Sequence, residues 1–399
     1  MNVLVVSPYP LFDRASGDLR FFQMLEMMSA HGHRVDLCPV GQDWQRPHVG
    51  EEGIARYRTA LAGIGVNTLP ADVLGALRSR SGYDLVIFEF FYYAMQWMEA
   101  ARLYQPQARM VVDSVDVHYL RLRAKARLTG LASDLASAEE TREKELAVYR
   151  TADMVITVTA DDASALLAEI PALCVDVVPN IHPVHEPVSV LPGGPMRAIF
   201  VGSFRHEPNV DGIEFFCREV WPRVRATMPD ATLDIVGDAP PASIQTSEEA
   251  GIKVHGWVEE TAPYLRSATI SVAPLRFGAG MKGKIGEAMS HGLPVITTTV
   301  GAEGMGFTHG RDILIADSAS AFAQAMLQLH ADPTLRDALA KAGHAFIRDR
   351  YGRTAVSSIV HGALERASAL PLRPLGWARQ CVLKARYAYD RHLGWRLSA

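Results

Sequence analysis

Residues 274–296 have the sequence Pro274-Leu-Arg-Phe-Gly-Ala-Gly-Met-Lys-Gly-Lys-Ile-Gly-Glu-Ala-Met-Ser-His-Gly-Leu-Pro-Val-Ile296. Apolar runs at residues 268–273 and 293–298 flank the glycine-rich part, and each has the composition of a buried strand. Glycines there let the backbone approach a ligand closely, and the lysines add charge to the dipole of a predicted helix over residues 284–291. The segment therefore predicts a diphosphate site, built from Gly278, Gly280, Gly283, Lys282 and Lys284.

Glu287 belongs to the same predicted helix. It lies three residues after Lys284, so both side chains project from one face of the first turn. A carboxylate repels phosphate but accepts hydrogen bonds from hydroxyl groups. The predicted partner of Glu287 is therefore a hydroxyl pair such as the diol of a ribose.

The same segment formally matches the dinucleotide pattern G-x-G-x-x-G over residues 278–283, and Glu303 lies 20 residues beyond it. In a dinucleotide-binding unit that pattern follows the first strand of its domain, whereas here it follows the fourth predicted strand. We therefore do not expect nicotinamide or flavin binding.

Length and composition indicate the class of protein and the number of domains. A chain of 399 residues is too long for one core and suits two domains, and 48 % hydrophobic with 21 % charged residues is ordinary for a globular protein. A net charge of -4 argues against nucleic acid as a partner. The four cysteines are scattered without metal-ligand spacing: Cys38, Cys174, Cys217 and Cys381. No metal site is expected, and the N-terminus lacks the basic start of a signal peptide, so we expect a cytoplasmic protein.

Apolar strands alternate with helical segments along the chain, which predicts an α/β fold of parallel sheets covered on both faces. The predicted strands are Val3–Val6, Arg34–Cys38, Leu85–Phe88, Arg109–Asp113, Met154–Val158, Cys174–Val178, Ala198–Val201, Thr232–Val236, Lys253–Val258, Ile270–Pro274, Val295–Thr298 and Ile313–Ile315. We expect two Rossmann-like, doubly wound domains that face each other across a cleft. Residues 1–185 form the first, a proline-rich segment at 186–195 the linker, residues 196–365 the second and residues 366–399 a tail.

The tail has its own character. Between Pro371 and Ala399 it carries six basic residues against the single acid Asp390, with aromatic residues interleaved. The residues concerned are Arg373, Arg379, Lys384, Arg386, Arg391, Arg396, Trp377, Tyr387, Tyr389 and Trp395. One interpretation is a helix that lies on an anionic membrane surface. The alternative is a C-terminal helix that packs back on the first domain.

Three further positions lie at predicted strand ends, where ligands of α/β proteins bind. Gly17 precedes the first helix, His118 follows the strand that ends at Asp113, and Arg205 follows the first strand of the second domain. The histidine could exchange a proton or bind a sugar hydroxyl, and the guanidinium could reach the same diphosphate as the lysines. We interpret Asn209 as the cap of a helix over residues 212–225.

Motifs that the chain lacks argue against several classes of enzyme. The chain contains no Asp-x-Asp, so a divalent ion that bridges the diphosphate is not indicated. It also lacks G-x-x-x-x-G-K-[ST], G-x-S-x-G and H-E-x-x-H, the patterns of P-loop phosphoryl transfer, serine hydrolases and zinc peptidases.

The segment Gly278 to Glu287 and the residues after it resemble the donor-binding signature of family 4 retaining glycosyltransferases, which have the GT-B fold. The resemblance extends over roughly residues 1 to 365, and residues 178–180, 201–211, 235–237 and 255–258 support it. It implies transfer of a sugar from a nucleotide-diphosphate donor to an acceptor hydroxyl, with retention at the anomeric carbon. The nucleotide sugar would be a co-substrate, with no cofactor or metal, in polysaccharide or glycolipid assembly.

The resemblance also assigns roles by position. Glu287 would bind the donor ribose, and the backbone near Val258 would contact the base. The diphosphate would be bound by Arg205, Lys282, Lys284, Gly280 and Met281. Gly17 would lie by the diphosphate or the acceptor, and His118 would bind the transferred sugar beside the reaction centre.

One position departs from the family pattern. Many members have a second glutamate eight residues before the one at 287, where this chain has Ala279, or Gly278 if one insertion is allowed. Neither residue hydrogen-bonds through a side chain, so the chain resembles a subgroup that lacks this acid. Two other functions stay open for the same cleft: a sugar-nucleotide epimerase, and a scaffold that binds nucleotide sugars without catalysis.

Overall fold

The computed structural model of the chain describes residues 1–79, 82–187 and 194–392, with side chains to residue 387. Residues 188–193 of the predicted linker lie outside the described residues, as do the side chains of Tyr389, Asp390, Arg391, Trp395 and Arg396 in the predicted tail. Within the described part, no helix is both long enough and apolar enough to cross a membrane.

The first half of the chain alternates strands and helices. Its strands are β1 (Asn2–Ser7), β2 (Arg34–Pro39), β3 (Asn67–Thr68), β4 (Leu85–Glu89), β5 (Arg109–Asp113), β6 (Met154–Thr157) and β7 (Val175–Val177). Its helices are α1 (Ser16–Ala30), α2 (Gln42–Gly63), α3 (Val73–Ser79), α4 (Phe91–Tyr104), α5 (His118–Thr129), α6 (Ala132–Thr151) and α7 (Ala160–Glu169). The seven strands form one parallel sheet in the order β3-β2-β1-β4-β5-β6-β7.

The second half repeats the arrangement. Its strands are β8 (Arg197–Val201), β9 (Thr232–Val236), β10 (Ile252–Gly256), β11 (Ile270–Ala273), β12 (Val295–Thr297) and β13 (Leu314–Ile315). Its helices are α8 (Glu207–Phe215), α9 (Trp221–Thr227), α10 (Ala262–Ser267), α11 (Gly283–Ser290), α12 (Thr299–Ala302), α13 (Ala319–Ala331) and α14 (Pro333–Tyr351), with a π-helical turn at Phe216–Val220. The sheet is parallel, in the order β10-β9-β8-β11-β12-β13. The predicted α/β fold with two doubly wound domains is thus confirmed.

One predicted helix start is wrong. The helix expected at residues 212–225 begins at Glu207, and the residue before it, His206, is the N-cap. Pro208 at the second helical position favours this earlier start because its missing N–H would lack a helical partner anyway. Asn209 lies inside the first turn, and its amide donates to the carbonyl of Ser203 at 2.7 Å.

The chain returns to the first domain after α14. Helix α15 (Arg353–Ala369) packs on α1 and joins the apolar core on that face of the first sheet, through Val356, Val360, Ala363, Leu364 and Ala367. Helix α16 (Trp377–His392) packs on α4, with Leu383 and Tyr387 in the core on the other face. The predicted C-terminal helix that packs back is confirmed. Residues 353–365, placed in the second domain by the sequence, belong by packing to the first.

The two segments that connect the domains pair with each other. The backbone N–H of His182 donates to the carbonyl of Tyr351 at 2.8 Å, so the outgoing and returning segments lie side by side. The imidazole of His182 is buried and rests against Gly286 of α11, where an added Cβ would lie 2.2 Å from Nε2. Burial lowers the pKa of His182 to about 4, so this contact is made by a neutral ring.

We expect Gly286→Ala to destabilise the protein by about 1–3 kcal/mol, because the new methyl group overlaps the buried ring of His182. Thermal unfolding measures the change. Gly63→Ala at the end of α2, where an added Cβ meets nothing within 4 Å, is the matched control and is expected to be neutral or slightly stabilising.

The double variant with His182→Ala should recover much of the loss, since it removes the atoms that the methyl group meets. If Gly286→Ala unfolds at the same temperature as Gly63→Ala, the close contact between the domains is contradicted.

Candidate functional site

The start of α11 forms the centre of a cleft between the domains. The helix begins at Gly283, and its N-cap residue, Lys282, makes no side-chain cap, so the first-turn amides have no side-chain acceptor from that residue. Gly280 before it has a left-handed backbone (φ 64°), and an added Cβ would meet Asp116 and Val158 of the first domain at 3.2 and 3.3 Å. An added Cβ on Gly283 would lie 2.3 Å from the Cβ of Ser16 in α1. The glycines thus let this helix start approach the carboxyl edge of the first sheet.

Lys284 is a half-buried cation without a counter-ion. Within the described residues, no carboxylate oxygen lies within 4 Å of its ammonium group, which is 5.8 Å from the centre of the Phe200 ring. Burial and the neighbouring charge of Lys282 lower the pKa of Lys284 to about 8, and Glu287 only partly opposes this. A desolvated cation at a helix N-terminus is the arrangement that binds an anion.

Lys282 has different surroundings. Its side chain is buried, and its ammonium group donates to the carbonyl of Gly280 at 2.8 Å. Burial lowers the pKa of Lys282, against the attraction of Glu303, Asp162 and Asp116. Two of these acids belong to the first domain, so this lysine interacts with negative charge across the cleft, whereas Lys284 does not.

Glu287 lies one turn after Lys284 and accepts a hydrogen bond from the hydroxyl of Thr261 at 2.5 Å. Burial raises the pKa of Glu287, while the bond from Thr261 and the charge of Lys284 oppose the rise. Val258, the predicted base contact, follows β10 and lies three residues before Thr261. Glu287 and Val258 are therefore both at the carboxyl edge of the second sheet.

His118 is held in the first domain at the start of α5. Its Nδ1 lies 3.2 Å from Asp116 and 3.6 Å from Glu145, and its side chain is 17 % exposed. Burial would lower the pKa of His118, but the two carboxylates outweigh burial and raise it. The histidine therefore keeps its second proton to a higher pH than a free imidazole does, and the protonated ring donates hydrogen bonds.

The carboxyl edges carry backbone strain. Among the described residues, three non-glycine residues have positive φ: Phe90 after β4, Val115 after β5 and Ala239 after β9. Val115 (φ 58°) is β-branched, so its conformation is costly, and it contacts Gly17, where an added Cβ would lie 3.0 Å from its Cγ1. Gly17 itself is in the first turn of α1, whose N-cap residue Ala15 makes no side-chain cap.

The residues predicted for the site differ in how they come together. Gly280, Lys282, Lys284 and Glu287 lie together at the start of α11, and Gly280 and Lys282 face Asp116, which is 3.2 Å from His118. Gly17 packs against Val115, next to Asp116. Met281 faces the crossing segment, where its sulfur accepts the N–H of Asn180 at 3.1 Å. Arg205 is ion-paired with Asp238 at 2.7 Å, and its guanidinium reaches His48 of the first domain at 3.4 Å.

Sequence reasoning assigned no role to three contributors. Glu145 of α6 is fully buried, and its carboxylate accepts the N–H groups of His118 and Tyr119 at 3.1 and 3.0 Å, which caps α5. His206 is surrounded by charges: burial and the cations Lys284 and Arg121 lower its pKa to about 4. Asp162 of α7 lies close enough to Lys282 for their charges to interact. Only His206, next to Arg205 at a strand end, carried a sequence signal.

The two sheets, the cleft at their carboxyl edges and the returning C-terminal helices define the GT-B fold. Residues 195–332 match the family model described as Glycosyl transferases group 1.

Similar structures share this fold at low identity. A sucrose-phosphate synthase from Thermosynechococcus elongatus is similar with a TM-score of 0.66 and 18 % identity, over 92 % of this chain and 98 % of that one. Anabaena HepE in complex with UDP and glucose is similar with a TM-score of 0.65 and 14 % identity, over 92 % and 100 %.

A curated relative is an uncharacterized 44.6 kDa protein in the cps region of Klebsiella pneumoniae, 26 % identical over 173 residues. The match covers 41 % of this chain and 45 % of the relative, so it spans less than half the length of either.

The lowered pKa of Lys284 predicts how anion binding depends on pH. Below about pH 8 the lysine is already charged. Above that pH the neutral lysine must take up a proton when the anion binds, and the free energy of this step reduces the affinity for the anion. We expect the affinity for UDP, used as an anionic probe, to fall roughly eightfold from about pH 7.5 to pH 9 in calorimetric titrations.

Lys284→Arg is the control. A guanidinium stays charged over this pH range, so the affinity of this variant for UDP should change little with pH. If the UDP affinities of the wild type and of Lys284→Arg fall equally with pH, Lys284 is not the group that binds the anion.

Proposed function

We propose that this chain is a glycosyltransferase that transfers a sugar from a nucleotide-diphosphate donor to an acceptor hydroxyl, with retention at the anomeric carbon. The reaction would need no metal and no cofactor beyond the nucleotide sugar itself. The observation that carries the proposal is the pair Lys284 and Glu287 on one face at the start of α11: a carboxylate, and a cation that forms no ion pair with any described residue. A nucleoside diphosphate has the complementary pattern, with anionic oxygens next to a diol.

The cleft accounts for the chemical step in physical terms. When the sugar leaves, negative charge grows on the diphosphate, and a fixed cation with free helix amides stabilises that charge. Lys284 supplies the cation without first breaking an ion pair. Protonated His118, held by Asp116 and Glu145, would donate a hydrogen bond to a hydroxyl of the transferred sugar. Glu287 would exchange its hydrogen bond from Thr261 for hydrogen bonds from the ribose diol.

The comparisons support the same class. The family match falls on the domain that contains Lys284 and Glu287, and the HepE structures of this fold contain UDP with glucose, or UDP-glucose. The relative from a cps region supports a role in polysaccharide assembly. We therefore propose a nucleotide sugar as donor, a glycan or lipid-linked acceptor and a cytoplasmic location.

Lys284→Ala and Glu287→Ala should each weaken UDP binding by about 10- to 100-fold, because each removes a charge-assisted hydrogen bond to the ligand. Calorimetry measures the affinity. Lys253→Ala and Glu260→Ala, exposed residues of the same charges in the same domain, are the matched controls and should leave it unchanged. Equal affinity in the site variants and the controls would contradict the donor site.

Activity separates the proposal from its two alternatives. Incubation with UDP-, GDP- and ADP-sugars, with and without acceptor and in the presence of EDTA, should give product only when an acceptor is present. Conversion of the nucleotide sugar without acceptor would instead indicate an epimerase. Nucleotide binding without product under any acceptor would indicate a non-catalytic scaffold.

We also propose that α16 contacts an anionic membrane surface. Its outward residues Trp377 and Val382 are 80 % and 57 % exposed, and the basic residues Lys384 and Arg386 are exposed beside them. Leu383 and Tyr387 hold the opposite face in the core of the first domain. An exposed apolar and basic helix face fits the headgroup region of a bilayer.

The full chain should sediment with vesicles of phosphatidylcholine and phosphatidylglycerol, and the variant Trp377→Asp with Val382→Asp should lose about half or more of this binding. Leu167→Asp, at a 39 % exposed position on α7, is the control. Equal sedimentation of all three proteins would contradict the contact.

A further inference from the structure

Aromatic side chains surround His118 at the carboxyl edge of the first sheet. Residues 90–93 are Phe-Phe-Tyr-Tyr, and the first three rings lie 5.9, 5.3 and 6.1 Å from the imidazole. Phe90 has a left-handed backbone (φ 66°), which turns the chain sharply between β4 and α4. This strained turn brings the aromatic rings to the histidine that faces the cleft.

The aromatic row continues toward the second domain. The rings of Tyr92 and Tyr93 are 4.6 Å apart, and the indole Nε1 of Trp44 and the phenol of Tyr93 both lie next to Gly41. Trp44 in turn lies 6.4 Å from the ring of His48, which is the residue that Arg205 reaches across the cleft. Tyr92 and Trp44 are 37 % and 48 % exposed. Two large aromatic side chains are thus left in contact with solvent along the wall of the cleft.

Carboxyl groups lie behind the aromatic row. Glu89 is 1 % exposed; its Oε2 accepts from the hydroxyl of Ser7 at 2.5 Å, and its Oε1 has no hydrogen-bond partner within the described part of the chain. Asp18, half-buried in the first turn of α1, is close enough to affect the ionisation of both Glu89 and Tyr92. Burial raises the pKa of Asp18 to about 7, so at neutral pH this carboxyl both donates and accepts.

Asp18 also belongs to a helix turn that contacts the predicted donor site. It follows Gly17, and Ser16 of the same turn abuts Gly283 at the start of α11. A hydroxyl bound at Asp18 would therefore lie next to the helix start where the diphosphate is proposed to bind. The exposed rings of Tyr92 and Trp44 extend away from this point.

We infer that this surface is an acceptor subsite for an uncharged sugar ring, with Tyr92 and Trp44 stacked on the ring and Asp18 bound to one of its hydroxyls. The inference rests on the proposed function, which supplies the donor. A pyranose has apolar C–H faces that pack on aromatic rings, and hydroxyls that match a carboxyl able to donate and accept. Asp18, Glu89 and Asp116 together disfavour a carboxylate or phosphate on the acceptor. Glu89 is a positioning residue in this account, since it acts on the site through Asp18.

Saturation-transfer NMR on the full chain with UDP present tests the subsite, with methyl glucoside, methyl galactoside and methyl glucuronide as probes. We expect the neutral glycosides to receive saturation at their ring C–H protons, and the glucuronide to bind about tenfold more weakly. Tyr92→Ala and Trp44→Ala should each weaken glycoside binding about five- to tenfold. The affinity for UDP should not change.

Leu167→Ala is the matched control, because it truncates an apolar side chain of similar exposure on α7. Asp18→Asn, which keeps the shape of the side chain, should raise the acceptor KM about tenfold and leave UDP affinity unchanged. A merely structural role for Asp18 would lower UDP binding and acceptor binding together.

The outcomes distinguish the two proposals. Three results would overturn the acceptor subsite alone, provided that UDP still binds. They are no saturation of the glycosides, equal binding of the glucuronide, and full glycoside binding by the Tyr92→Ala and Trp44→Ala double variant. Glycoside binding by a protein that does not bind UDP would overturn the proposed donor chemistry.

Discussion

The close contact between the two domains depends on glycines at three-residue spacing along the start of α11. A side chain at Gly280, Gly283 or Gly286 would meet Asp116, Ser16 or His182 of the other half of the chain at 3.2, 2.3 and 2.2 Å. Only a residue without Cβ lets α11 come this close. The cleft, its buried cation and the alignment of the two sheet edges all follow from that approach. The glycines therefore serve the domain contact as well as the proposed phosphate site.

The charges in the cleft are distributed unevenly, and this asymmetry gives the site its chemistry. Lys282 interacts with acids of both domains, which offset part of the cost of burying its charge. Lys284 is not balanced, and burial makes its charge costly to keep. An incoming anion relieves that cost. His118 has the opposite environment, because Asp116 and Glu145 stabilise its protonated form. Within the described ranges of the chain, one cleft thus presents a cation that lacks a counter-ion and a histidine that is already paired.

Much of the fold follows from local patterns. Arg109–Asp113 and Thr232–Val236 are strands with the predicted bounds, because continuous apolar runs between helices are distinctive. β3, only Asn67–Thr68, is too short to produce such a pattern. The proximity of Lys284 and Glu287 was predictable from helical spacing. The partners of Arg205 and Gly286 and the first-domain acids near Lys282 were not, since each comes from a segment at least 33 residues away. Only tertiary packing brings those pairs together.

The assignment of roles within the glycine-rich segment changed most between sequence and structure. The sequence suggests equal roles for two lysines and a purely ligand-related role for the glycines, because local spacing carries no information about the facing domain. The structure separates a lysine that interacts across the cleft from one that is free for a ligand. It also adds Glu145, whose buried carboxylate both caps α5 and faces His118.

A crystal structure of the full chain with UDP tests the central claim most directly. The account predicts a phosphate oxygen within about 3 Å of Lys284 Nζ, further phosphate contacts to the first amides of α11, and the ribose diol on Glu287 in place of Thr261. UDP bound elsewhere, or bound in the cleft with Lys284 turned away from the phosphates, would contradict it.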